Sequence, residues 1–117
     1  MDLDSALAKH SEWKKTFRIA IYRQLEVDAD TIARDDCCEL GKWLHGEGQR
    51  QFGKLDSFAK CIASHRQFHI EAGKIACAIN AKKFREAESM LANGSQYVNI
   101  TALIVSAILK LKADASQ

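Results

Sequence analysis

His65 and His69 stand four residues apart, so on a helix both imidazoles leave the same face about one turn apart. Two histidines set that way can chelate one metal ion. The same spacing serves zinc peptidases, in which a glutamate follows the first histidine as general base. Here Arg66 holds that place, which removes the hydrolytic reading. His10 adds a third imidazole, set between Ala6 and Trp13 in an otherwise apolar seam. Burying several ionisable rings in one small core needs compensation, and a shared cation supplies it. A fourth ligand can come from Cys37 or Cys38, which follow Asp35 and Asp36 where a short helix is predicted to start. A thiolate there is favoured by the local dipole and by exposed backbone donors. Three nitrogens and one sulfur make a closed tetrahedral shell of the kind that zinc prefers.

Helices must position these groups. The 117-residue chain has no proline and only six glycines, and its β-branched residues do not alternate with polar ones, so strands are not expected. A first helix is predicted from about Leu3 to about Glu26, with the seam Leu3, Ala6, His10, Trp13, Phe17 and Ala20. A polar interval, Asp28 to Asp36, leads into a short helix from Cys37 to about His45. Asp35 or Asp36 is its expected N-cap, and Gly46 and Gly48 end it. The third helix begins near Asp56 and carries the seam Leu55, Phe58, Ile62, His65, His69, Ala72, Ala76 and Ile79, spaced alternately three and four. The last runs from Lys82 or Lys83 to about Lys112, with the seam Phe84, Ala87, Leu91, Gly94, Val98, Thr101, Val105 and Ile108. Asn93-Gly94 is a turn signal, but the seam keeps its phase across it, so a continuous helix with close packing at Gly94 is predicted. The expected fold is all-α: one domain over residues 1–117, an antiparallel bundle of three long helices plus one short helix carrying the cysteine ligand.

Composition bounds the partners. Seventeen Lys and Arg against fifteen Asp and Glu leave a charge of +2, which gives no basis for a nucleic-acid binder. The longest apolar stretch, near Ile100 to Leu109, is about half of a membrane span. Asp2 and Asp4 stand where a signal peptide carries positive charge, and Lys9 and His10 interrupt any apolar region. A cytoplasmic domain is expected. Adjacent Cys37 and Cys38 do not resemble a secreted disulfide framework.

The string Cys38-Glu39-Leu40-Gly41-Lys42-Trp43-Leu44, followed by His45-Gly46-Glu47-Gly48, resembles the signature of the chemoreceptor zinc-binding (CZB) domain family. His10-Ser11-Glu12-Trp13-Lys14 and His65-Arg66-Gln67-Phe68-His69 match it further, and Leu91 to Ser95 resembles the family's glycine-containing stretch before its last helix. The matches run in order from about His10 to about Leu109. The resemblance implies the zinc ligands His10, Cys38, His65 and His69. Cys37 does not correspond to the family's cysteine, because Gly41 and Trp43 must follow the ligand at three and five residues. Cys37, Cys61 and Cys77 are expected as small hydrophobic or exposed thiols. His45, where the family often has an aromatic residue, is expected at the surface or beside the ligands. Trp43 and Gly41 are expected in packing, with Trp43 fastening the short helix and so placing Cys38.

Four protein ligands leave no open position for water or substrate, so the zinc is not expected to catalyse a reaction. A di-iron bundle enzyme needs inward glutamates, and Glu71, the carboxylate near His69, is off the seam. Only Cys38 sits on a short element, flanked by acidic residues and glycines. A rigid three-histidine platform closed by a mobile cysteine arm is the expected device. Zinc scarcity, or attack on the Cys38 sulfur by peroxide or hypochlorous acid, would open it. The resemblance implies control of bacterial chemotaxis receptors or diguanylate cyclases, with zinc or oxidants as signal. The chain carries neither a cyclase nor a receptor signalling segment, so it is expected to be an isolated domain, a fragment or a stand-alone protein. It would act on an output domain or partner protein in cis or in trans. The alternative is a purely structural, zinc-stabilised helical dimerisation module. Tyr97, Val98, Ile100, Leu103, Ile104, Val105, Ile108, Leu109 and Leu111 spread apolar groups beyond one stripe on the last helix, which predicts a homodimer, in agreement with what the resemblance implies.

Overall fold

In the computed structural model, which describes residues 1–116, four side chains start helices by accepting a backbone N–H three residues on. They are Asp2, Asp28, Cys38 and Ser95. Each relieves one of the unpaired amides that open a helix. The elements are α1 (Leu3–Ser11), α2 (Trp13–Arg23), α3 (Ala29–Ile32), α4 (Glu39–Leu44), α5 (Glu47–Phe52), α6 (Asp56–Asn80), α7 (Phe84–Met90) and α8 (Gln96–Ala115). The described residues include no strand.

Helix α6 is the centre of the bundle. Phe58, Cys61, His65, Phe68, Ala72, Ile75, Ala76 and Ile79 are all buried along it. Its main partner is α8, which buries Tyr97, Ile100, Ile104, Ile108 and Leu111. Each fully buried Leu, Ile or Phe stabilises the core by roughly 1.5–3 kcal/mol of transfer free energy. Lys112 near the end of α8 reaches Asp4 at the start of α1 at 2.7 Å, so α8 runs antiparallel to α1. At the other end, the side chain of Asn80 closes α6 onto the chain leaving α2. It accepts the Val27 amide at 2.8 Å and donates to the Val27 carbonyl at 2.7 Å.

The first helix departs from its predicted span in two places. It is interrupted at Glu12, where the Ser11 hydroxyl and the His10 Nδ1 both donate back to carbonyls four residues earlier. Such back-bonding competes with the backbone ladder and bends helices. It then stops at Arg23, because Gln24 turns left-handed at φ 54°. The short helix begins later than predicted: its N-cap is Cys38 itself, not Asp35 or Asp36. Helices α3 and α5 form where a polar interval and a glycine stop are predicted.

The continuous last helix is overturned. Residues 91–95 form a turn between α7 and α8, with Gly94 at φ 84°, a conformation open to glycine without a Cβ penalty. No atom lies within 4 Å of where a Gly94 Cβ would stand, so the expected close contact is absent. The turn resets the phase: Tyr97, Ile100 and Ile104 are buried, while Val98, Thr101 and Val105 are only partly covered. No described helix is long and apolar enough to cross a membrane.

Candidate metal centre

His10 comes from α1, His65 and His69 from α6, and Cys38 from the N-cap of α4. Their ligand atoms all lie within 4.8 Å of one another. His65 Nε2 is 3.1 Å from His10 Nε2 and 3.0 Å from His69 Nε2. The Cys38 Sγ stands 3.2 Å from His65 Nε2, 3.6 Å from His69 Nε2 and 3.9 Å from His10 Nε2. Zinc bonds of about 2.0–2.1 Å to nitrogen and about 2.3 Å to sulfur give tetrahedral edges of about 3.3 Å and about 3.6 Å. The three sulfur–nitrogen separations bracket the second value, and the two nitrogen–nitrogen separations fall about 0.2–0.3 Å short of the first.

Proton placement makes the donor set fit a cation. His10 Nδ1 lies 2.8 Å from the Ala6 carbonyl, and His69 Nδ1 lies 2.8 Å from the Ile32 carbonyl. A carbonyl only accepts, so in the neutral rings both protons sit on Nδ1 and both Nε2 atoms present lone pairs. Those lone pairs converge on His65 Nε2, which can donate to one of them at most. Lone pairs left facing one another in a buried site are unfavourable, and one divalent ion satisfies them all. Burial is the main force holding the histidines neutral. It lowers the pKa of His10 and His69 and holds His65 down to about 2, helped there by the neighbouring rings. Burial also raises the Cys38 thiol. A bound cation reverses that effect by stabilising the thiolate.

The imidazoles are locked by packing. Phe68 meets His10 edge-on at 5.2 Å and His69 at 5.4 Å between ring centroids. It touches Tyr97 of α8 at 5.7 Å. On the other side, Gly41 lies so close to the preceding loop that a Cβ there would run into the Asp35 carbonyl oxygen. Trp43 packs on Phe52 and Phe58 at about 6 Å, and a Cβ on Gly48 would come within 2.8 Å of its ring. These contacts tie α4 to α5 and α6, and so fix where Cys38 stands.

The other candidates stand apart. His45 is exposed, 3.4 Å from the Asp35 carboxylate. Cys61 is buried in the core and Cys77 is exposed. Two backbone carbonyls, not predicted from the sequence, orient the imidazoles. The Ala6 carbonyl lies one helical turn before His10, so helical spacing alone could have found it. The Ile32 carbonyl reaches His69 across 37 residues of chain, for which no local pattern gives a signal. A groove of about 440 Å³ opens beside the cluster, lined by His10, Cys37, Cys38, Lys9, Glu39 and Trp13 among others.

Comparison with known proteins agrees with this geometry. The family described as the chemoreceptor zinc-binding domain matches residues 10–76, a span that includes all four converging side chains. No curated protein and no solved structure gives a significant match.

Proposed function

The chain belongs to the chemoreceptor zinc-binding domain family, and from that premise we propose a regulatory function in which His10, Cys38, His65 and His69 hold one zinc ion and Cys38 is the ligand that lets go. When bound, the ion supplies the positive charge that stabilises the Cys38 thiolate and satisfies the three imidazole lone pairs. The observation that carries this reading is the unequal support of the four ligands. The three histidines are buried on α1 and α6, while Cys38 is partly open to the groove and caps a six-residue helix. Loss of the thiolate would also remove the N-cap of α4, because the Cys38 Sγ accepts the Gly41 amide at 3.3 Å. Site chemistry and helix position are thereby coupled at one atom.

Zinc scarcity or an oxidant such as peroxide or hypochlorous acid would be the input. The output would be control of a chemotaxis receptor or a diguanylate cyclase, through an output domain or partner in cis or in trans. In this reading residues 1–117 act as one cytoplasmic, non-catalytic domain. Leu103 and Leu109, 55% and 48% exposed on α8, supply apolar surface for a homodimer.

Metal analysis of protein purified without added metal should find zinc near one equivalent. Cys38→Ser should weaken zinc binding by at least about tenfold; undiminished affinity would remove Cys38 from the shell. Chelation should leave a folded chain with altered α4 protection from hydrogen exchange. Wholesale unfolding on chelation would instead make this a structural dimerisation module, and light scattering would report its oligomeric state.

A further inference from the structure

The four cysteines occupy three different settings. Cys61 is 0% exposed in the core. Cys77 opens into a separate groove lined by Ile70, Gly73 and Met90. Cys37 is partly buried and lines the same groove as His10 and Cys38. Its thiol points to the Asp36 carboxylate at 3.6 Å, and nothing in the zinc site uses it.

Cys37 and Cys38 are peptide neighbours, so joining their sulfurs orders no intervening residue, and it requires the Cys37 thiol to turn from the Asp36 carboxylate. Both are accessible from one groove. We propose that Cys37 is the resolving thiol of Cys38, condensing with it into a vicinal disulfide after a peroxide has oxidised Cys38. The inference rests on the reading of Cys38 as the oxidised ligand. In the first step the Cys38 sulfur attacks a peroxide oxygen. The O–O bond breaks, an S–O bond forms, the sulfur loses two electrons, and the reduced peroxide leaves as water or an alcohol. In the second step the Cys37 sulfur attacks the Cys38 sulfur. An S–S bond forms, the S–O bond breaks, and the hydroxyl departs as water with the Cys37 proton.

The product has the properties of a resettable signal. Consecutive Cα atoms are about 3.8 Å apart, shorter than the roughly 4.4–6.8 Å that disulfides prefer. A strained bond of this kind is readily reduced by cellular thiols. Forming it takes the Cys38 sulfur from the three Nε2 atoms and from the Gly41 amide together. It also keeps Cys38 from passing on to sulfinic acid, which thiols cannot reverse.

The experiment treats the full-length, zinc-loaded protein with hydrogen peroxide in the presence of dimedone, which traps sulfenic acid, and then digests it with trypsin. Cleavage after Arg34 and Lys42 isolates residues 35–42, with Cys37 and Cys38 as their only cysteines. The native peptide should lose two hydrogens, regain them with dithiothreitol and carry little dimedone. Cys37→Ser should carry at least about tenfold more dimedone on Cys38, with the unoxidised variant retaining its zinc. Equal trapping in both proteins, or a disulfide from Cys38 to any other cysteine, would overturn the inference while leaving the oxidant reading intact. A Cys38 that peroxide does not modify would overturn both. Should Cys37→Ser fold poorly, the mass of the native peptide decides alone.

Discussion

His65 and His69 leave a 25-residue helix enclosed by the core, whereas Cys38 precedes a helix of six residues held by a loop. The imidazole side is held by apolar burial on α1 and α6. The thiol side depends on a few close approaches: Gly41 against Asp35, Trp43 against Gly48, and the exposed Lys9–Glu39 pair at 3.4 Å. Exposed pairs of that kind contribute about 1 kcal/mol or less. The four side chains proposed to hold one ion therefore sit on regions that differ in packing, and in that proposal the less enclosed region yields first.

The largest test of this contrast is Phe68→Ala. Phe68 is fully buried and contacts His10, His69 and Tyr97, so truncation should cost about 3–5 kcal/mol, measured by urea unfolding. A loss confined to zinc affinity would show that the imidazole side is not the rigid one. Gly41→Ala comes next. Its methyl meets the Asp35 carbonyl, and displacing the loop should cost about 1–3 kcal/mol. Zinc affinity should fall with it, while hydrogen exchange of α6 stays slow. Protection lost equally in α4 and α6 would erase the distinction between the two regions.

The smallest effect is acid destabilisation of the zinc-free protein. The folded state holds His65 at about 2, below its ordinary 6.5, so the unfolded chain binds the proton first. Stability is then unaffected above that ordinary value and falls as pH drops below it. For His65, lowering the pH from about 7 to about 6 should cost less than about 1 kcal/mol, with His10 and His69 adding in the same direction. A melting temperature that rises on acidification would contradict the burial of neutral imidazoles.

Much of the histidine side was legible in the linear chain. The alternating three-and-four spacing from Leu55 to Ile79 predicted α6 and its inward histidines; of the first seam, Ala6, His10, Phe17 and Ala20 are buried, while Leu3 and Trp13 are partly covered. The extra buried faces of α6, with Cys61, Phe68 and Ile75, were missed because a central helix is covered from several directions. The thiol side was legible only as a motif. Gly41 and Trp43 marked the position of Cys38, but not that Cys38 itself would cap α4. The last helix failed at Gly94, where a seam that kept its phase outweighed a turn signal that proved correct.

Periodicity in the chain settles which residues share a helical face, because side-chain direction repeats with the helix itself. It therefore settled the helical class and the inward His10, His65 and His69. It carries no information on how loops approach helices. The Ile32 carbonyl on His69 and the placement of the Cys38 sulfur by His65 join segments 37 and 27 residues apart, and the Asp35 carbonyl over Gly41 depends on the path of the loop before α4. Such contacts exist only once the core has formed and left a single way for the loop to satisfy its backbone groups.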